Sequence, residues 1–354
     1  MALPPSLKAH SSPREFDLIR TIRRRFAGQD SSVLQGIGDD AAVISPSSKQ
    51  DSLLATDLLA EGVHFDMRTA TPADVGFRAA AANLSDIAAM GGRPRYLLVA
   101  LAIPRTATGL QIRRLYQGLM AACRPHGVRL IGGDTSASMS GWFIAVTLVG
   151  SVPPNRALLR SGARAGDSIY VTGTLGDSLA GLVLAKESKL RSARGIPARA
   201  LSSRHRRFLI QRHLRPTARI AIGRWLSAQR LATSAIDLSD GLSGDLSHIC
   251  EESRVGAEIE VAKLPLSTAC RAFAETRKTD SSNLALTGGE DYELLFTTPA
   301  RLRAKLERTA RELGYRITRI GTIRPARFGL QTLSEDGRRR PLSVTSYEHF
   351  RSHP

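Results

Sequence analysis

Apolar and polar positions along this chain repeat with two periods. Near-continuous or alternating apolar runs, SLLATDLLAEGVHF (52–65), RYLLVALAIP (95–104) and WFIAVTLVGSV (142–152), read as strands. Between them lie two stretches with apolar residues at helical spacing. The first starts at Thr71-Pro72, an N-cap followed by a first-turn proline, and runs to Gly91-Gly92. The second, TGLQIRRLYQGLMAACRPHG, ends near Pro125. FDLIRTIRRRFAG (16–28) has the same period, with Gly28 as its stop. At VPPNRALLRSGARAGD (152–167) the prolines, Arg and Gly mark a junction. Alternation then resumes with a strand in DSIYVTG and a helix in SLAGLVLAKESKL. ATSAIDLSD is a strand leading into the helix GLSGDLSHICEES, and NLALTGGEDYELLFTTP (283–299) holds another strand. The pattern predicts an α/β protein with a flexible tail over 1–13 and two domains, 14–151 and 152–354. Residues around 191–215 read as a mobile insertion.

Composition narrows this picture. With 354 residues and 42% hydrophobic content, the chain can bury sizeable cores, which excludes global disorder. No run of about 18 uncharged apolar residues exists to cross a membrane as a helix. The N-terminus lacks the apolar segment of a secretory signal. Cys123, Cys250 and Cys270 are far apart with no CxxC pair, which argues against a zinc ribbon or disulfide framework and suits a cytoplasmic protein. The net charge of +18 is carried mostly by arginine, since only seven of the 50 cations are lysine. Residues 191–230 hold eleven Arg and no acid. A nucleic-acid surface is one reading of such a run. Solvated helix faces are the other, favoured because the interleaved aromatics of a strand-binding groove are missing.

The candidate chemistry lies in acids set among glycines and small residues. Asp39 and Asp40 fall in GIGDDAAV, Thr56 and Asp57 in ATDLLAEGVHF, and Asn83 and Asp86 in NLSDIAAMGG. Asp134 falls in IGGDTSAS, Asp237, Ser239 and Asp240 in IDLSDGLSGD, and Glu290 and Asp291 in TGGEDYELLF. Any one of these is an ordinary turn former. Asp86 is the exception, because it sits on a helix of Ala, Ile, Leu and Met, where an unpaired carboxylate is costly. It bonds either to a neighbouring helix terminus or to a cation. Many carboxylates without a His/Cys set point to Mg²⁺, which commonly binds substrate phosphates as well. Gly132-Gly133 and Gly288-Gly289 beside them let backbone approach a ligand. Phosphoryl transfer is the reaction class this favours. The chain has neither GxxxxGK[ST] nor an HRD…DFG set, so P-loop and protein-kinase solutions are excluded.

Taken in order, GIGDDAAV, TDLLAEGVHF, NLSDIAAMGG, IGGDTS, NRALLRSGARAGD, RHLRPTARI, AIDLSDGLSGDLSHI, LTGGEDYELLF and SYEHF resemble the thiamine-monophosphate kinases of the aminoimidazole-ribonucleotide-synthetase-like superfamily. The motifs span residues 36 to 350. The resemblance implies an α+β sandwich of two domains, the first forming the sheet of a homodimer. It implies transfer of the ATP γ-phosphate to thiamine phosphate, with several Mg²⁺ ions. The match places Mg²⁺ on Asp40, Thr56, Asp57, Asp86, Asp134, Asp237 and Asp240, with Asp86, Asp134 and Asp240 nearest the chemistry. It places ATP on Tyr116, Gly133, Asp134, Arg160 and Ser239, and the thiamine moiety on His64, Glu290 and Tyr347. On their own, Tyr116 reads as a core aromatic, His64 as a structural histidine and Arg160 as a surface cation. Ala55 departs from the Ser or Thr common before the TD pair, and Tyr347 stands where Trp also occurs. Other ATP-using enzymes of the superfamily, or a basic nucleic-acid-binding protein, are the alternatives.

Overall fold

The computed structural model describes residues 33–35, 39, 42–47, 49–194 and 201–344. The tail, the helical pattern at 16–28, Asp40 and Tyr347 lie outside the described residues. Six strands form the first sheet: β1 (Val33–Gln35), β2 (Ala42–Ser47), β3 (Gln50–Ala60), β4 (Arg93–Pro104), β5 (Arg129–Ser138) and β6 (Phe143–Val152). Their order is β1-β2-β3-β6-β4-β5. Only the β4–β5 pair is parallel, because a helix bridges those two strands. Seven strands form the second sheet: β7 (Ser168–Thr172), β8 (Ser234–Asp237), β9 (Val255–Glu260), β10 (Leu294–Thr298), β11 (Ile317–Pro325), β12 (Leu330–Leu333) and β13 (Arg339–Pro341). Their order is β13-β12-β9-β11-β7-β10-β8.

Helix α1 (Pro72–Ala89) is the spine of the molecule. Thr71 caps it as the Thr-Pro pair predicts: the Thr71 hydroxyl accepts from Asp74 N at 3.2 Å, and the Asp74 carboxylate accepts from Thr71 N at 3.3 Å. Alanines and other small residues make α1 buried on nearly every side. Helix α2 (Gly109–Cys123) crosses it at backbone distance. A Cβ at Gly118 would lie 1.8 Å from the Ala73 carbonyl, and one at Gly76 2.0 Å from that of Leu115, so glycine alone permits the crossing.

One apolar core runs from the inner row of the first sheet (Leu53, Val99, Val146) through Leu84 and Ile87 of α1 to Tyr170 and Phe296 of the second sheet. Those last two rings stack with centroids 5.5 Å apart. A second core of Ile169, Val171, Leu295 and Leu246 covers the other face of that sheet, under α6 (Leu242–Ser253). The remaining helices are α3 (Asp177–Arg194), α4 (Ser203–Leu214), α5 (Ile220–Ala228), α7 (Thr268–Arg277), α8 (Ser281–Thr287) and α9 (Arg303–Glu312).

Three expectations need correction. Residues 203–214, read as part of a mobile insertion, form helix α4, with Leu209 and His213 buried. Its arginines are not all solvated: Arg212 bonds the buried Glu293 at 2.9 Å, and Arg215, just past the helix, bonds Asp74 at 2.7 Å. Asp134, read as a turn residue, lies inside strand β5, which has almost no apolar alternation and exists through its pairing with β4.

Candidate active site

The site forms where α1, the loop after β8 and the loop before β10 meet. After β8 the chain runs Leu238-Ser239-Asp240-Gly241 into α6. The 288–293 loop is clipped onto this turn: Glu290 N donates to Ser239 O at 2.8 Å, Tyr292 N to Leu238 O at 2.9 Å, and Leu238 N to Glu293 O at 2.8 Å. Glu290 and Tyr292 adopt left-handed backbone, with φ of 63° and 51°. Non-glycine residues hold such values only where the surroundings impose them.

The turn concentrates negative charge. Asp245, on the first turn of α6, accepts from Asp240 N at 3.2 Å and Gly241 N at 3.1 Å, satisfying donors at the helix start. Burial pushes its carboxyl well above the ordinary value, and the charges of Asp240 and Asp237 push it further. Arg160 is the cation that opposes them. Arg160 in turn is held by Asp39, whose carboxylate accepts from Arg160 N at 3.1 Å. Thus the GDD loop, the 152–167 junction and the DLSD turn meet, and sequence reading placed a site residue on each. Asp237 is buried, whereas Ser239 and Asp240 are half-buried.

Next to the turn lies a compensated nest. Burial alone would raise the Glu290 carboxyl, but the guanidinium of Arg78, hydrogen-bonded to it, holds it below the ordinary value. His64, whose Nδ1 accepts from Ala60 N at 3.0 Å, acts on the same carboxyl. His213 Nδ1 stands 3.6 Å from Glu290 Oε2. Burial pushes the Tyr292 phenol well up, and the charges of Glu290, Asp57 and Asp237 add to this while Arg78 opposes it. Tyr292 therefore joins the two parts, with Asp57 arriving from the first sheet. The inner row of β3, with Leu53, Ala55 and Leu59 buried, is also the row of Asp57.

Other predicted residues stand further out. Thr56 is exposed on the outer face of β3, 3.1 Å from the Thr147 hydroxyl, so alternation sends it away from Asp57. Asp134 is exposed on β5, three strands from β3 and roughly 14 Å across the sheet. Gly133 is fitted closely to its neighbour strand: a Cβ there would lie 1.9 Å from the Val99 carbonyl. Tyr116 is half-buried on α2 against the first core. Asp86 is half-buried on α1, about 12 Å along the axis from Arg78. Its helix neighbour Asn83 is fully buried and donates to Ala79 O at 3.1 Å. Among the described residues no group of three or more His, Cys, Asp or Glu side chains is close enough to hold a metal ion. The oxygen donors of Asp237, Asp240 and Asp245, crowded so that the Asp245 carboxyl is pushed toward its protonated form, nonetheless fit a hard divalent cation.

Residues 38–152 match the family described as AIR synthase related protein, N-terminal domain, and residues 164–331 its C-terminal domain. The thiamine-monophosphate kinase of Escherichia coli is 40% identical over 336 residues, covering 95% of this chain and 98% of its own. That of Bacillus subtilis is 36% identical over 338 residues, covering 95% and 99%. A solved structure, AaThiL complexed with AMPPCP and TMP, superposes with a TM-score of 0.81 at 36% identity, covering 95% of this chain and 97% of that one. The chain belongs to the thiamine-monophosphate kinase family.

Sequence reading missed Arg78, His213, Tyr292 and Asp245. Arg78 is one cation in an alanine-rich helix, and His213 sits inside the arginine run. Asp245 lay within a quoted motif and was not separated from it. Asp291, quoted beside Glu290, turns the other way. Its carboxylate accepts from Gly176 N at 2.6 Å and Ser178 N at 3.0 Å, at the start of α3, and burial raises it to about 7.

Proposed function

We propose that this chain transfers the γ-phosphate of ATP to thiamine phosphate, giving thiamine diphosphate. The observation that carries the reading is the joining, through Tyr292, of a crowded acidic turn to a carboxylate held for recognition of a polar ring. The first suits a phosphate centre that needs cations, and the second suits the aminopyrimidine of the acceptor.

Mg²⁺ ions would be held by Asp57, Asp237 and Asp240 near Tyr292, and the resemblance adds Asp40, Thr56, Asp86 and Asp134. Bound there, they would offset the repulsion between two anionic phosphates. ATP contacts fall to Tyr116, Gly133, Arg160 and Ser239, with Arg160 giving a directed hydrogen bond to a phosphate oxygen. The acceptor is already a phosphate whose oxygen is anionic, so no residue is required to take a proton from it. His64, Glu290 and Tyr347 hold the thiamine moiety, Tyr347 by stacking on a flat ring.

The working unit is a homodimer. Leu58, Tyr96 and Ile131 leave an apolar surface on the first sheet, with exposures of 56%, 43% and 57%. Edge strand β5, carrying Gly133 and Asp134, is open as well. Such a surface is what a second copy would cover.

The test is an ATP/Mg²⁺ assay of purified protein with thiamine phosphate and, separately, free thiamine. Conversion of the monophosphate alone is expected. Phosphorylation of free thiamine, or none of either, contradicts the reading.

A further inference from the structure

Glu290 is fixed from two sides by residues that the phosphate chemistry does not use. Its backbone is clipped to Ser239 in the left-handed region, so the side chain has one direction of approach. Its Oε1 is taken by Arg78, itself 4% exposed and bonded also to Tyr292. On the other flank is His213, 3% exposed, from α4. Arg78 Nη1 lies 3.4 Å from His213 Nε2. A guanidinium can only donate, so Nε2 must accept and the imidazole proton sits on Nδ1. That Nδ1–H faces Ser178 Oγ at 3.1 Å and Glu290 Oε2 at 3.6 Å. Burial, with Arg78 adding to it, lowers the His213 pKa to about 4, so the ring stays neutral at ordinary pH and keeps this tautomer.

The arrangement has a chemical consequence. Glu290 keeps lone pairs on a side chain that is 28% exposed, while Arg78 is enclosed behind it. A ligand reaching the free side of this carboxylate meets a hydrogen-bond acceptor. A ring amine satisfies it, whereas a ring carbonyl meets carboxylate lone pairs, and a mismatched polar pair in a half-buried site is heavily disfavoured.

We propose that Arg78 and His213 are positioning residues that set acceptor specificity: they fix Glu290 as a hydrogen-bond acceptor and so select a phosphate ester bearing an aminopyrimidine over one bearing an oxopyrimidine. This rests on the kinase reading above and on Glu290 meeting the pyrimidine. Neither residue touches the transferred phosphoryl group.

The experiment compares thiamine phosphate with its analogue in which an oxo group replaces the pyrimidine amine, using wild type, Arg78→Met, Arg78→Lys, His213→Asn and Glu290→Gln. Wild type is expected to favour the amine by about 100-fold or more in kcat/KM. In Arg78→Met and His213→Asn the preference shrinks at least tenfold. KM for thiamine phosphate rises about tenfold, and KM for ATP stays within about twofold. Arg78→Lys, which keeps the charge and loses the fork, recovers part of the preference. Adding Glu290→Gln to Arg78→Met causes little further loss, because both act through one carboxylate. A preference unchanged in Arg78→Lys and His213→Asn, with kcat reduced equally for both acceptors, overturns the proposal even if Arg78→Met does not fold. A wild type active on thiamine phosphate alongside that result leaves the kinase reading intact. A wild type inert toward thiamine phosphate overturns both.

Discussion

Two groups of acids lie within one fold, and they are balanced differently. Around the 288–293 loop the negative charges are matched. Glu293, fully buried, meets Arg212 and Arg219 and accepts from the Thr172 hydroxyl at 2.5 Å. Asp291 meets the start of α3, and Glu290 meets Arg78. At the DLSD turn, Asp237, Asp240 and Asp245 crowd together against Arg160. Asp291 and Glu293 are architecture: each satisfies a helix start or a buried cation, and removal leaves the partner unpaired. Acids crowded together favour protonation of one another, and a divalent cation would relieve that repulsion.

Substitutions at the two groups should fail in opposite ways. Asp240→Asn at the turn is expected to lower kcat on the order of 10³-fold. Its thermal midpoint should hold or rise, since a charge crowding Asp245 is removed. Parallel kcat and melting measurements check this, and a variant that loses stability along with activity would place Asp240 among the matched acids. Arg212→Met should do the reverse first. It leaves the buried Glu293 with Arg219 as its remaining cation and removes the cation 3.8 Å from the buried Asp177, and urea unfolding should register a loss of about 3 kcal/mol.

Acid provides a smaller contrast. His213 faces Arg78, Glu290, Ser178 and Lys186, and its folded pKa of about 4 lies below the unfolded 6.5. The unfolded chain therefore binds the proton more readily. Stability is full above pH 6.5 and falls as pH drops toward 4, by about 3 kcal/mol in all. Urea midpoints across this range should slope in wild type and flatten in His213→Asn.

Much of this was legible in the residues because local rules and the global fold agree. Thr71-Pro72 and Gly91-Gly92 bound α1 as their capping chemistry requires. The apolar runs at 52–65, 95–104 and 142–152 supply neighbouring strands of one sheet, the first ending at Ala60. Strand β5 was not legible, because RLIGGDTSAS owes its conformation to pairing with β4 rather than to a buried alternating face. Helix α4 was obscured by its arginines, whose partners Glu293 and Asp74 are about 80 and 140 residues away in sequence. The acids were singled out by their setting among glycines and small residues, and their roles were assigned from the resemblance. Glu290 and Asp291 are adjacent in sequence and point to different partners, and no periodicity distinguishes a carboxylate that caps a helix from one that faces a ligand.

The central claim is that the acids of the DLSD turn create a demand for divalent cations. The most direct measurement is the thermal midpoint during Mg²⁺ titration at constant ionic strength, for wild type and for the Asp237→Asn/Asp240→Asn double variant. Binding to the folded state alone should stabilise wild type by about 2.7 kcal/mol at a hundredfold excess over Kd, a rise of several degrees. The double variant should stay flat. An equal rise in both proteins, or none in wild type, would contradict the account.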